Sequence, residues 1–294
     1  MRLILSRKGF DSSAGGVASP ILDDGTMFSL PIPSVHSPIR YRDITLGGQP
    51  LARVVPALTR GALTASSGAH LDPDVVPQAL GRRGTGWRGL FGQAGTAQVI
   101  LARAGVGPGD LFLFFGWFRR TEEHHGTLRY VKGAPDVHVL WGWMQIDHVL
   151  DVATRAAKVP RWARYHPHVA GDEPMTKNTL YVARERLSLD GVDVGLPGAG
   201  VFARFDDRLV LTRPGASRSR WSLPSWFAPR GRPPLGAHGD PTRWRLARDR
   251  VHLQSVARGQ EFTLDLAHYP EATTWLGQTF AVADGARATS GRRG

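Results

Sequence analysis

The run Leu111–Phe118 (LFLFFGWF) constrains the fold more than any other stretch of this chain. Such a short, strongly aromatic segment reads as a strand in a core rather than a surface element or a membrane span. Immediately before it, Gly105-Val106-Gly107-Pro108-Gly109-Asp110 stops a helix predicted over 95–104, with Ala97, Ile100, Leu101 and Ala104 on one face. A shorter helix is expected around Pro77–Leu80. A second long strand is predicted at Val137–Val149, after a loop or hairpin at 119–136. Leu3, Ile4 and Leu5 give a short buried strand at the start. The proline-bearing stretch 20–50 predicts short strands and turns, including a hairpin-type turn at Asp23-Asp24-Gly25-Thr26. Glycine and proline break 195–265 into further short strands. The fold class that follows is α+β and sheet-rich. Residues 1–282 read as a single domain with a basic C-terminal portion, and 283–294 as a disordered, arginine-bearing tail.

With 294 residues and 41% hydrophobic content, the chain can bury a sizeable core. It has no cysteine, which excludes disulfides, thiolate nucleophiles, iron–sulfur clusters and Cys-ligated zinc. Any metal must be held by His, Asp, Glu or backbone oxygens. No run has the length of a membrane helix and no secretory segment is evident, so the expected location is cytoplasmic. The formal net charge of +12 favours a polyanionic partner. Lys8, Lys132, Lys158 and Lys177 are the only lysines, so the charge is almost all arginine.

Several clusters offer chemistry. The first strand runs into Ser6-Arg7-Lys8-Gly9-Phe10-Asp11-Ser12-Ser13-Ala14-Gly15-Gly16, a polar glycine-rich loop able to hold an anion or to form an ordinary turn. Lys8 and Asp11 there suit base or nucleophile roles, or phosphate neutralisation and turn capping. In His70-Leu71-Asp72-Pro73-Asp74, an extended backbone would turn His70 and Asp72 to one side. With a distant histidine they would form a two-histidine, one-carboxylate site. The competing reading is an Asp-Pro turn with a helix N-cap at Asp72 or Asp74. His166-Pro167-His168 presents two imidazoles that an extended segment would aim the same way. Along the second long strand, strict alternation puts Trp141, Trp143, Gln145 and Asp147 on one face, suited to stacking on a base and reading its edge. Trp221, Trp226 and Phe227 among Arg213, Arg218, Arg220, Arg230 and Arg232 suit a groove tracking a nucleic-acid backbone, as does Arg7.

The opening block SRKGFDSSAGG with SPI after it resembles the signature of the nucleotide modification associated domain family, third type. Further blocks similar to it are HLDPD, GPGDLFLFFGWFR, QIDH, HPH and WSLPSWF, so the resemblance covers roughly residues 1–270. It implies base chemistry on nucleic acids, in bacterial and phage systems that make or process modified DNA bases. It is also what keeps His148, otherwise a core histidine, as a metal ligand alongside His70, Asp72, His166 and His168. The order helix, PGD turn, strand, hairpin, strand resembles the PUA/EVE superfamily, implying a small base-reading barrel element.

Three functions follow as expectations. One is a metal-dependent enzyme acting on modified DNA bases, with Fe(II) or Mn(II) as the ion. Its concrete form is a demethylase, an oxidoreductase removing the methyl of N6-methyladenine, with 2-oxoglutarate as co-substrate left open. The second is glycosidic base excision through Lys8, Asp11 or Asp72. The third is a non-catalytic reader with a PUA-like pocket. All three take DNA as partner, single-stranded or with a flipped base.

Overall fold

The computed structural model describes residues 1–155, 158–172, 175–233, 235–256 and 261–290. It is mixed α+β, organised around a nine-stranded sheet. The aromatic run lies within the sheet and extends further than expected, as strand Leu111–His124. The first strand, Arg2–Arg7, pairs with it in parallel from Leu3↔Leu111 to Arg7↔Phe115 and is closed on its other side by antiparallel Phe262–Asp265. Buried on both faces, Leu3–Leu5 and Leu111–Phe115 are the near-continuous apolar runs that their position demands, while the edge strand Phe262–Asp265 alternates. The other long strand, Val137–Asp151, pairs antiparallel with Leu111–His124, then with Thr179–Ala183, which in turn pairs with Leu90–Gln93. Among the described residues the strands do not close, so the expected PUA/EVE-like barrel is corrected to an open sheet.

Two bulges break the alternation expected along Val137–Asp151. The register steps from Leu140↔Phe115 to Gly142↔Phe114, leaving Trp141 as the extra residue. It steps again from Ile146↔Ala183 to His148↔Val182, leaving Asp147 extra. A bulge re-aims its side chain locally, so Trp141, Trp143, Gln145 and Asp147 do not share one face.

Leu90, Phe91, Phe112 and Phe114 belong to the sheet's packing, with the Phe91 ring 4.9 and 5.3 Å from Phe112 and Phe114. A second apolar cluster, including Phe10, Leu30, Tyr41, Leu51, Val55 and Leu71, joins the helix Leu51–Leu58 to the segment that carries His70 and Asp72. The helix predicted after residue 94 is present at Gly95–Arg103, but Gln98 and Leu101 face inward while Ile100 is exposed. The turn at Asp23–Thr26 is closed by Leu22 N–H donating to the Thr26 carbonyl. Pro77–Ala79 forms only a single 3-10 turn. At the C-terminus, helix Glu271–Ser290 runs into the stretch expected as a tail, and 291–294 lie outside the described residues. No helix among the described residues is long and apolar enough to cross a membrane.

Candidate metal centre and substrate cavity

His70 ends the short strand Ala69–His70, which pairs with Ile32–Pro33. The chain then turns tightly, Asp72 N–H donating to the His70 carbonyl at 2.8 Å, and continues through a cis Asp72–Pro73 peptide. Asp74 re-enters regular pairing by exchanging both backbone hydrogen bonds with Leu90. Its carboxylate is fully buried against Arg83, at 2.6 and 2.7 Å, with Tyr165 donating to it as well. Burial pushes the Asp74 carboxyl up and the Arg83 guanidinium opposes that. The segment around Asp72 is thereby anchored on both sides. Neither Asp72 nor Asp74 caps a helix.

The second half of the cluster comes from His166 and His168. They do not lie on an extended segment. His166 instead caps a helical turn, Pro167–Ala170, its Nδ1 accepting from the His168 N–H at 3.4 Å. The turn nevertheless brings both rings to one carboxylate: His166 Nε2 lies 3.3 Å from Asp72 Oδ1, and His168 Nε2 3.7 Å from Asp72 Oδ2. His70 sits edge-on to His168 with ring centroids 5.1 Å apart. One ligand atom each from His70, Asp72 and His168 lies within 4.8 Å of the other two.

Hydrogen bonds decide which atoms face inward. Asn178 Nδ2 donates to the His168 carbonyl, so its Oδ1 must accept from His168 Nδ1–H, both at 2.7 Å. That tautomer leaves the His168 Nε2 lone pair free for an ion. Asp72 Oδ1 accepts the Gly92 N–H at 2.6 Å and faces His166, which leaves Oδ2 for the centre. Because His166 Nδ1 accepts from His168 N–H, the neutral ring carries its proton on Nε2, which faces Asp72 Oδ1 at 3.3 Å and backs the carboxylate rather than the ion. Gly92 is required for packing as well: a Cβ there would come within 2.2 Å of the His168 ring.

The electrostatics suit a cation. Burial alone would push Asp72 up, but His166, His168 and His70 outweigh it and hold the carboxyl at about 2. Burial takes His70 down to about 4 and lowers His168, with Lys8 repelling a proton from both rings. Neutral imidazoles and an ionised carboxylate are the states a metal needs. Two nitrogens and one carboxylate oxygen, with no sulfur, fit Fe(II) or Mn(II).

Asp72 also lines an apolar cavity of about 440 Å³, a ligand-sized volume. Its walls include Gly9, Phe28, Ser29, Val75 and the bulge residue Trp141, whose ring stacks on Phe114 at 5.6 Å. Gly9 has φ +90°, and a Cβ there would meet Ser29 Oγ at 2.0 Å, so only glycine lets the loop lie against this wall. A wider groove of about 1400 Å³, with Trp87, Arg88, Arg184 and Arg204 on it, shares Val75, Val76, Val201 and Ala203 with the cavity.

The remaining sequence expectations divide clearly. Lys8 lies near the cluster, its ammonium 4.6 Å above the centre of the Phe91 ring. Asp11 is occupied with its own turn, accepting from Ser13 and Ala14 and pairing with Arg7 at 3.3 Å. Lys8 and Asp11 therefore form no pair, and Arg7 is mostly buried. His148 is exposed on the groove and pairs with Asp147 at 3.2 Å, outside the converging group. Trp143 and Gln145 are buried, bonded to the Pro197 carbonyl and to Ser188 and Gly109, so they cannot read a base. Trp221 is buried and donates to His138, while Trp226 stacks on Phe227. Arg218 lies over the Trp117 ring and Arg220 is exposed. Gly92, Asn178 and Phe28 were not singled out by the sequence, because no spacing ties them to the histidines.

The family model for nucleotide modification associated domain 3 matches residues 2–265, and the chain belongs to that family. Neither a curated protein nor a solved structure matches it.

Proposed function

We propose that this member of the nucleotide modification associated domain 3 family is a metal-dependent enzyme acting on a base in DNA, with the ion held by His70, Asp72 and His168. The position of Asp72 carries the reading. Asp72 brings its carboxylate to the imidazole cluster and lies on the wall of a ligand-sized cavity. A planar base suits a cavity lined by Trp141 and Phe28. The adjoining groove suits the strand from which the base is turned out, single-stranded or flipped.

Iron(II) on two imidazoles and a carboxylate would supply oxidation by dioxygen, and Mn(II) is the alternative ion. The concrete substrate is N6-methyladenine. Its methyl C–H becomes C–OH, one oxygen atom of O2 entering the product. The other would leave as water with a two-electron reductant, or enter succinate where 2-oxoglutarate is the reductant and loses its carboxyl as CO2. The hemiaminal C–N bond then breaks, giving adenine and formaldehyde. The chain's own residues prepare this site. Asn178 fixes the His168 tautomer, and Gly92 and His166 hold Asp72 from behind. Burial, with a smaller contribution from Lys8, keeps the His70 and His168 imidazoles neutral, and Lys8 offers a positive charge to an anionic co-substrate.

The test is incubation with single-stranded N6-methyladenine DNA, Fe(II) and ascorbate, with and without 2-oxoglutarate, followed by mass spectrometry of nucleosides and formaldehyde. The expected products are unmethylated adenine and formaldehyde. A released base with an abasic site would instead establish glycosidic cleavage. Tight binding with no product would leave a reader.

A further inference from the structure

Strands Arg220–Pro224, Trp244–Leu246 and Arg250–Gln254 form a separate three-stranded sheet. The rung Trp221–Leu253–Trp244 packs inward, Trp221 meeting Phe115 at 5.0 Å. Alternation then turns Ser222, His252 and Arg245 outward, with Arg220 and Gln254 on the same side. The arginines expected to interleave with aromatics on one binding surface are thus sorted from them: rings inside, guanidinium groups outside.

On this outer side Arg213, Arg220, Arg243 and Arg245 line one cavity of about 270 Å³. The carboxylate near them is Asp240, 3.9 Å from Arg243. Among the described residues no carboxylate pairs with Arg213, Arg220 or Arg245. Arg213 also meets His252 Nδ1 and Arg243 donates to the Gln254 carbonyl, both uncharged partners, so four guanidinium groups share a single counter-charge and the excess positive charge favours anions. Their charge exceeds what a single phosphate neutralises, so the matching ligand is a repeating anion. The planar guanidinium also presents two parallel donors to phosphate oxygens.

We propose that this arginine face is a docking surface for the phosphodiester backbone of a nucleic-acid strand, separate from the cavity beside Asp72. Neighbouring residues of one strand show the separation: Phe114 stacks on Trp141 at the cavity, and Phe115 meets Trp221 beneath the arginines. The surface therefore grips the polymer away from the base that reacts. It rests on the proposed function only in taking a polymeric substrate, and the metal centre does not enter it.

The test measures anisotropy of a labelled single-stranded oligonucleotide across a KCl series, using the full-length chain. Each phosphate contact on a single strand contributes about 0.7 to the slope of log affinity against log salt, so Arg220→Ala with Arg245→Ala should lower it by about 1.4. Arg220→Lys with Arg245→Lys should keep most of the slope, and both double variants should keep the metal content of wild type, so a failed metal centre is told apart from a failed docking face. Wild-type slope and affinity in the double alanine variant would overturn the proposal, as would equal losses in both double variants. Two other results would also overturn it, each with the DNA slope unchanged. One is stabilisation by inorganic phosphate that the alanine variant loses. The other is loss of binding to phosphatidylglycerol vesicles.

Discussion

Asn178 holds His168 through both ends of one amide, Oδ1 at 2.7 Å from the ring Nδ1 and Nδ2 at 2.7 Å from the His168 carbonyl. The ring can therefore neither flip nor change tautomer without losing a buried bond. Asn178→Ala is expected to weaken metal affinity about 10–100-fold while the fold is kept, as for other residues that orient a ligand. Titration with Fe(II) or Mn(II), read by calorimetry, checks this. Unchanged affinity would mean that His168 is oriented by packing alone.

Gly92 serves the same centre from the other side. Gly92→Ala places a methyl 2.2 Å from the His168 ring, and neither strand nor buried ring has room to yield. Loss of bound metal is expected together with a fall in thermal stability. Metal content equal to wild type would show that the ring can move without cost.

Arg83 and Asp74 make a different kind of contribution. The pair is buried and joined by two bonds, and Tyr165 with the Val76 and Pro77 carbonyls completes its shell. Arg83→Ala leaves an uncompensated buried carboxylate, at a cost of about 3–5 kcal/mol. Urea denaturation measures it, and a change below about 1 kcal/mol, the scale of an exposed pair, would contradict the burial seen here.

His138 gives a pH dependence remote from the metal centre. Burial, helped by Arg7 and Arg218, pushes its pKa from 6.5 down to about 3. Trp221 donates to Nδ1 at 3.0 Å, which fixes the neutral form with the proton on Nε2. The unfolded chain takes up a proton below pH 6.5 that the folded chain refuses. Its contribution is thus complete above that pH and is lost as pH falls towards 3. In that window the stability of wild type should fall more steeply than that of His138→Gln, by up to about 1.4 kcal/mol per pH unit. Parallel curves would contradict the assignment.

How much of this was legible in the sequence differs from element to element. Leu3–Leu5, the aromatic strand and the helix after residue 94 were legible because periodicity and glycine–proline stops are local signals. The convergence of His70, Asp72 and His168 was legible as residue types. Its geometry was not, since it depends on a tight turn at Asp72 and a helical cap at His166, where extended chain was expected. The faces of Val137–Asp151 were misassigned because its two bulges leave no mark in composition. The first of them, at Trp141, puts that ring on the cavity while Trp143 donates to the Pro197 carbonyl. The sorting of Trp221 from Arg220 and Arg245 was equally hidden, because strand pairing decides which residues share a face.

The most direct test of the metal centre is elemental analysis of untagged protein purified without chelators, beside His70→Ala, Asp72→Asn and His168→Ala variants whose folding is checked by circular dichroism. Close to one transition-metal ion is expected per wild-type chain, with loss of that ion in each folded variant. Wild-type protein that takes up neither Fe(II) nor Mn(II), or folded variants that keep the ion, would contradict the metal centre.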